Sequence, residues 1–280
     1  MRIDSSIVGI GALALCCALA SPGAAQDDAL QGDGDPSALG RNTAERSTEA
    51  GVFLRFAESP NTHTHKVAVD THVGFDSNRE GAVIDTRAEA VLFSRRSFGL
   101  AVFGGGSYIG ATSRFDEASS VNAGLKLQPL SQARHGIDGA FTVAYQSRGF
   151  NLQPAVAAEL LLARRWGNTQ ALLNVGYGHG LEEGERYGTA RGAVLTRVWK
   201  ELRAGVDGRF LHDLEFDADE PEGEPELEAN AGAVVSYAIS HFALSLHAGP
   251  AFLRYRPQPD APPSSTMIGA MVGVGIGATL

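Results

Sequence analysis

The chain has 280 residues, with 23 basic and 32 acidic side chains and a formal net charge of −9 at pH 7. This excess of negative charge argues against nucleic acid as a partner, because binding to phosphates requires cationic side chains. Hydrophobic residues make up 44% of the sequence, a share that argues against intrinsic disorder.

The N-terminus has the pattern of a secretory signal peptide. Arg2 precedes an apolar run over residues 7–19, and small residues at 21–25 offer a cleavage site before Gln26. The run is too short to span a bilayer comfortably as a helix, and no other stretch reaches that length. We therefore predict a signal peptide over residues 1–25. Its removal takes away both cysteines, so the exported chain must be stable without disulfides.

The rest of the chain divides into a leader and one domain. Residues 26–50 are polar, acidic and rich in small side chains, which is typical of a flexible leader. The composition changes at residue 51 and then stays constant, so we predict a single domain over residues 51–280. Apolar and polar side chains alternate repeatedly within it, with the period of two that belongs to a β-strand. Counting back from Leu280 gives twelve strands, beginning near Lys66.

The connections between these strands are alternately short and long. The short ones lie near 94–97, 130–136, 166–168, 199–201 and 239–241, and the long polar ones near 76–81, 111–119, 180–186, 216–226 and 257–265. Aromatic side chains accompany both sets: Phe93, Phe98, Trp166, Trp199, Tyr237 and Phe242 beside the short ones, and Phe75, Tyr108, Tyr145, Phe150, Tyr177 and Tyr255 near the long ones. Two rings of aromatic residues at the two ends of the strands are what the interfaces of a bilayer select.

The last fifteen residues, TMIGAMVGVGIGATL, leave one face of the final strand almost bare. Apolar side chains occupy every second position, and Gly269, Gly273, Gly275 and Gly277 occupy most of the positions between them. In a closed barrel the apolar positions would face hydrocarbon, and the glycine positions would face an enclosed interior. A face of this kind does not have to pack a core, so the glycines are compatible with a barrel wall.

With these features the chain resembles the bacterial outer-membrane β-barrels as a superfamily, although it matches no single family within it. The resemblance covers residues 66–280. It implies an all-β, transmembrane, antiparallel up-and-down β-barrel of about twelve strands, with short periplasmic turns and longer extracellular loops. It also implies residence in the bacterial outer membrane, with lipid, lipopolysaccharide and the barrel-insertion machinery as partners. That machinery reads an apolar residue at the end of the chain, where Phe is usual, so Leu280 departs from the pattern.

Two structural points stay open at this stage. A secreted β-sandwich also alternates with a period of two, but its apolar face would be the core. Residues 51–58 (GVFLRFAE) read as one additional strand. They could form a periplasmic strand, a piece inside the lumen or the true first strand.

The alternation of residues along each strand predicts which charged side chains face the interior. The candidate lumen and selectivity residues are Arg191, Arg197, Arg203, Arg209, Asp207, Asp70, Asp85, Arg87 and Glu89. The four arginines of strands eight and nine would lie across a twelve-stranded ring from the acidic groups of the first strands. Such walls would set a transverse field across a water-filled constriction and bias its selectivity. Alternatively, the charges pair with one another and fill a small plugged barrel.

The first functional expectation is a porin-like channel for passive passage of small hydrophilic solutes, since inward Gly and Ala leave space in the lumen. The alternative is a closed structural or adhesive barrel that acts through acidic extracellular loops, of which residues 213–228 are the richest. A lipid-modifying hydrolase comes third. Ser245 and His247 share a strand face, but their order is the reverse of the His-x-Ser of the outer-membrane phospholipase family, and Asn230 is only a speculative third member. We therefore expect no catalytic residues and no enzymatic activity.

The sequence suggests neither a cofactor nor a metal site. His63 and His65 flank one residue, but no Cys or further His clusters with them, so a metal site there would be incomplete.

Overall fold

The structure is a computed structural model that describes most of residues 57–280. The described ranges are 57–60, 67–78, 81–95, 98–110, 118–147, 154–181, 186–214, 225–255 and 266–280. The predicted signal peptide and leader lie outside these ranges, as do His63, His65 and most of the acidic loop.

Twelve antiparallel strands form one closed barrel, which confirms the predicted fold. They are β1 (Val67–Asp76), β2 (Gly81–Arg95), β3 (Phe98–Ile109), β4 (Ala118–Leu130), β5 (Asp138–Gln146), β6 (Ala155–Trp166), β7 (Thr169–Gly180), β8 (Arg186–Trp199), β9 (Leu202–Asp213), β10 (Pro225–Ile239), β11 (Phe242–Tyr255) and β12 (Thr266–Thr279). Each strand pairs with the next one along the chain, and β12 pairs with β1. The ladder therefore closes without a free edge, as a strand wall in lipid requires.

Three tight turns at one end of the barrel each place one residue at positive φ. They are Gly167 between β6 and β7, Lys200 between β8 and β9, and Ser240 between β10 and β11. Positive φ at such positions matches the twist of a two-residue hairpin. The turn between β4 and β5 is longer and contains the only helix among the described residues, α1 (Gln132–His135). No helix in the described part of the chain is long and apolar enough to cross a membrane.

The barrel wall exposes apolar side chains on its outer face and buries polar side chains on its inner face, which is the reverse of a soluble protein. Large apolar side chains are exposed on the outer face, among them Leu125, Phe141, Val175, Val206 and Ile276. Polar side chains are buried on the inner face, among them Lys126, Gln128, Asn174, Asp207 and Asn230. A soluble sandwich would bury the apolar face instead, so that alternative is wrong. Hydrocarbon around the barrel accounts for the exposed apolar face.

Aromatic side chains lie on the outer face at both ends of the strands. Trp166 and Trp199 are exposed beside the tight turns, and Tyr145 and Tyr177 are exposed near the opposite end. The ammonium of Lys200 lies 4.9 Å from the centre of the Trp199 ring. Aromatic rings beside cationic groups are typical of the level at which a bilayer meets water.

Candidate functional site in the barrel lumen

Residues 57–60, which we call the lumen strap, lie inside the barrel ahead of β1. Ala57 is buried and packs in one apolar cluster with inner-face residues of β6, β7, β8 and β10: Ala163, Leu172, Ala193, Leu195 and Val234. Its backbone N–H donates to Oδ1 of Asp207 on β9, at 3.3 Å. Pro60 at the other end of the strap is also fully buried. Of the three placements left open for residues 51–58, the interior is therefore the one observed for residues 57 and 58.

The backbone of the strap is held by one asparagine on β7. The N–H of Glu58 donates to Oδ1 of Asn174 at 2.8 Å, and Nδ2 of Asn174 donates to the carbonyl of Glu58 at 2.9 Å. The side chain thus satisfies both backbone polar groups of Glu58, as a neighbouring strand would. Asn174 is almost completely buried, so its amide makes this contact largely shielded from solvent.

The Glu58 side chain points to the other side of the lumen, where β2 and β4 present cations. Both terminal nitrogens of Arg87 donate to the carboxylate, one to each oxygen. Nζ of Lys126 lies 3.4 Å from Oε1 of Glu58 and donates to the carbonyl of Ser59 at 2.7 Å. Lys126 also donates to Oε2 of Glu89 at 2.9 Å. The strap therefore joins β7 and β9 to β2 and β4, which face each other across the ring.

Glu58 precedes β1 and lies outside the spanning strands, and its charge state is set by its surroundings. Burial opposes ionisation of the carboxyl, whereas the positive charges of Arg87 and Lys126 favour it. The net effect is a pKa of Glu58 below its ordinary value. The carboxyl is therefore ionised at neutral pH, and its contacts with both cations are ion pairs.

The four arginines of the predicted basic wall all lie on the inner face of β8 and β9, in different environments. Arg191 is paired with Glu159 of β6, and Arg209 is paired with Glu228 of β10. Arg203 is buried and donates to Oε1 of Gln170 at 3.3 Å. Arg197 is partly buried. Two of the four positive charges are thus neutralised by neighbouring carboxylates.

The remaining predicted lumen residues also lie on the inner face. Asp207 accepts the hydrogen bond from the strap, while Arg87 and Glu89 belong to the cluster around Glu58, with 3.9 Å between their nearest charged atoms. Asp70 of β1 lies 3.4 Å from Nε2 of His72. Asp85 is partly buried beside His72 in the β1–β2 register.

The bare face of β12 is covered by side chains from both neighbouring strands. Gly275 is paired with His72 of β1 and with Ser245 of β11. The His72 ring and the Ser245 hydroxyl both lean over Gly275 and occupy the space that a Cβ atom would need. The glycine therefore allows two side chains two strands apart to meet inside the wall.

The residues considered for hydrolysis lie on the inner face of the wall. Ser245 and His247 both point inward from β11 and are buried. Nδ2 of Asn230, however, donates to Oε1 of Glu228 at 2.8 Å, and Glu228 is the partner of Arg209. Asn230 is therefore engaged with this charge cluster. No group of three or more His, Cys, Asp or Glu side chains suited to a metal occurs among the described residues.

Sequence reasoning did not identify Asn174 as part of the site, and it placed residues 51–58 inside the lumen only as one of three alternatives. Asn174 is the one polar residue in the run ALLNV, at an inward position of β7. A lone amide among apolar residues at such a position was the available signal, because a buried amide requires partners. Glu58 carried no such signal, because its place in the lumen depends on the closure of the whole ring.

The chain matches no protein-family model and no curated protein sequence. Among solved structures it is similar to the NanC porin, with a TM-score of 0.52 and 8% identity over 76% of this chain and 100% of that one. The fold is that of the outer-membrane β-barrels. LpxR from Salmonella typhimurium covers 76% of this chain and 100% of its own, with a TM-score of 0.47 and 8% identity.

A third structure of this kind is the translocator domain of the autotransporter NalP from Neisseria meningitidis. It has a TM-score of 0.43 and 11% identity over 87% of this chain and 95% of its own. At such identities the similarity extends to the fold alone.

Proposed function

We propose that the protein is a gated channel of the bacterial outer membrane, in which the lumen strap blocks the passage of small hydrophilic solutes until it is displaced. The exposed apolar outer face supports a location in lipid, with lipopolysaccharide and the insertion machinery as the accompanying partners. The polar inner face supports passage of hydrophilic solutes. The first expectation was an open lumen, and the strap adds an obstruction to it.

The strap is not part of the strand ladder of the wall, and this observation is the main support for a gate. β1 pairs directly with β12 over residues 68–76, so the barrel is closed without any contribution from residues 57–60. The polar contacts of the strap with the wall are made by wall side chains and not by a strand ladder. Displacing the strap would break its hydrogen bonds to Asp207, Asn174, Arg87 and Lys126 and leave every strand pair intact.

A closed structural or adhesive barrel is the second candidate. The near-complete burial of Lys126, Gln128 and Asn174 favours it, because a wide aqueous pore would leave inward side chains in contact with water. The acidic extracellular loops would then carry the function. We propose that the protein is not an enzyme, because the order of Ser245 and His247 is the reverse of the His-x-Ser of the outer-membrane phospholipase family.

Conductance in planar lipid bilayers tests the gate. We expect the parent protein to be mostly closed and the double variant Glu58→Ala, Asn174→Ala to give stable conductance steps, because both anchors of the strap are removed. Glu159→Ala is the matched control, since it breaks a lumen ion pair between wall strands and leaves the strap in place. Equal conductance of parent and double variant would contradict the gate. A double variant that folds but shows no conductance would favour the closed barrel.

A further inference from the structure

The cations around Glu58 have the arrangement of a carboxylate-binding site. The two terminal nitrogens of Arg87 each reach a different oxygen of the carboxylate, which is the fork geometry that guanidinium groups use for this ligand. The Lys126 ammonium lies 3.4 Å from one of the same oxygens. A carboxylate at this position is therefore bound by the two terminal nitrogens of the Arg87 guanidinium and by the ammonium of Lys126.

The barrel wall holds both cations in place without help from the strap. The guanidinium carbon of Arg87 lies 4.3 Å from the centre of the Phe103 ring on β3, which is within the range of a cation–π contact. Lys126 is 2% exposed and donates to Glu89 of β2. The fork and the ammonium would thus remain positioned after the strap has left, so the site is preorganised.

The charge balance of the cluster changes when Glu58 leaves. Arg87 and Lys126 carry two positive charges, and Glu58 and Glu89 carry two negative charges, so the four side chains together are neutral. Without Glu58 the remaining three side chains carry one net positive charge in a poorly solvated place, which Asp70, paired with Arg87 in the β1–β2 register, offsets in part. A buried charge of this kind favours binding of a counter-charge.

We propose that Arg87 and Lys126 form a carboxylate-binding site of the lumen, that Glu58 is its built-in occupant, and that small carboxylate solutes take its place when the strap is displaced. The inference rests on the proposed gate and names the class of solute that the open lumen recognises. The strap then acts as an internal competitor for the same two cations.

Acetate is the probe, because it reproduces the atoms that Glu58→Ala removes. We expect sodium acetate to raise the unfolding temperature of the detergent-solubilised Glu58→Ala variant in a saturable way. Acetamide and equimolar sodium chloride should not do so, since one lacks the charge and the other lacks the two oxygens. The parent protein should not respond, because its site is occupied. In bilayers, acetate should also reduce the conductance of the double variant Glu58→Ala, Asn174→Ala.

Two further variants show whether the effect belongs to this site. Adding Arg87→Met to Glu58→Ala should abolish the acetate response. Glu159→Ala, which removes the carboxylate that pairs with Arg191, should respond much less, because one described cation contacts Glu159 whereas two contact Glu58. An equal response of Glu159→Ala would overturn the assignment, as would an equal effect of chloride.

The thermal measurement separates this inference from the gate. Conductance by the double variant Glu58→Ala, Asn174→Ala, without any acetate response of Glu58→Ala, would leave the gate standing and overturn the carboxylate site. An acetate response of Glu58→Ala, together with a folded double variant that does not conduct, would support the site and contradict the gate. If Glu58→Ala folds poorly, its refolding yield in acetate against acetamide measures the same binding, and equal yields would overturn the site.

Discussion

At the scale of single residues, the glycines of the wall decide which inner side chains meet. Gly275 lies between His72 and Ser245 and gives both the space to lean over it. Gly176 of β7 does the same for Glu159 of β6, whose side chain lies over it and pairs with Arg191 of β8. The glycines of the last strand are therefore used, because they let the two neighbouring strands fill the same interior space.

Replacing Gly275 by Leu is expected to destabilise the barrel. The new side chain would have to displace the buried His72 ring and Ser245 hydroxyl, and overpacking of this kind costs about 1–3 kcal/mol. Gly110→Leu is the matched control, since nothing lies within 4 Å of a Cβ at that position. Urea unfolding in detergent micelles measures both. Equal stability of the two variants would contradict the close packing over Gly275.

The face of the wall on which each side chain lies was predictable from the sequence, but the ion-pair partners of the charged side chains were not. Alternation places Arg191 and Arg209 on the inner face. Their carboxylates, Glu159 and Glu228, come from other strands, and the first of these contacts depends on a glycine in the strand between. The period of two determines the face on which a side chain lies. Whether two side chains meet also depends on the register of the strands and on the size of the residues between them.

At the scale of elements, the strands followed from the sequence and the irregular segments did not. The twelve strands were predictable because each one repeats a simple pattern over nine or more residues. The helix α1 has four residues and is too short for any helical period to be seen. The strap has no strand partner, and its position comes from side chains of β2, β4, β7 and β9, which no local pattern encodes.

A charged side chain introduced on the outer face is expected to lower the free energy of unfolding by an amount that depends on its depth in the bilayer. Val175 lies in the middle of β7 and Ile239 at the end of β10, and both are exposed on the outer face. Val175→Arg should destabilise the barrel by about 2–4 kcal/mol in lipid, and Ile239→Arg by about 0–1 kcal/mol. Unfolding titrations in phospholipid vesicles measure the difference. Equal losses at the two heights would contradict a bilayer around this wall.

At the scale of the whole molecule, ring closure creates the site. The β1–β12 pairing brings β2–β4 and β7–β9 to opposite sides of one enclosed space. Only in the closed ring can one short segment reach Asp207 and Asn174 with its backbone and Arg87 with its side chain. Because the site is assembled from distant parts of the chain, a sequence indicates its residues but not its shape.

The ion selectivity of the opened lumen is expected to depend on Arg197 and Arg203. Both lie on the inner face of the wall, between Arg191 and Arg209, which are paired with Glu159 and Glu228. The strap-free variant Glu58→Ala, Asn174→Ala should therefore prefer anions, and adding Arg197→Glu with Arg203→Glu should shift the preference toward cations. The reversal potential under a potassium chloride gradient measures this preference.

The control for this experiment changes two basic residues that lie outside the lumen. Arg134 and Arg164 are both exposed near the same end of the barrel, so their replacement by Glu alters the total charge by the same amount as the lumen variant. We expect this control to keep the anion preference, because charges in bulk water are screened within about 8 Å at physiological salt. If the lumen variant also keeps it while remaining folded, the arginine wall does not determine selectivity. The Arg87–Lys126 cluster would then be the remaining source of the anion preference, since it carries a net positive charge once Glu58 is gone.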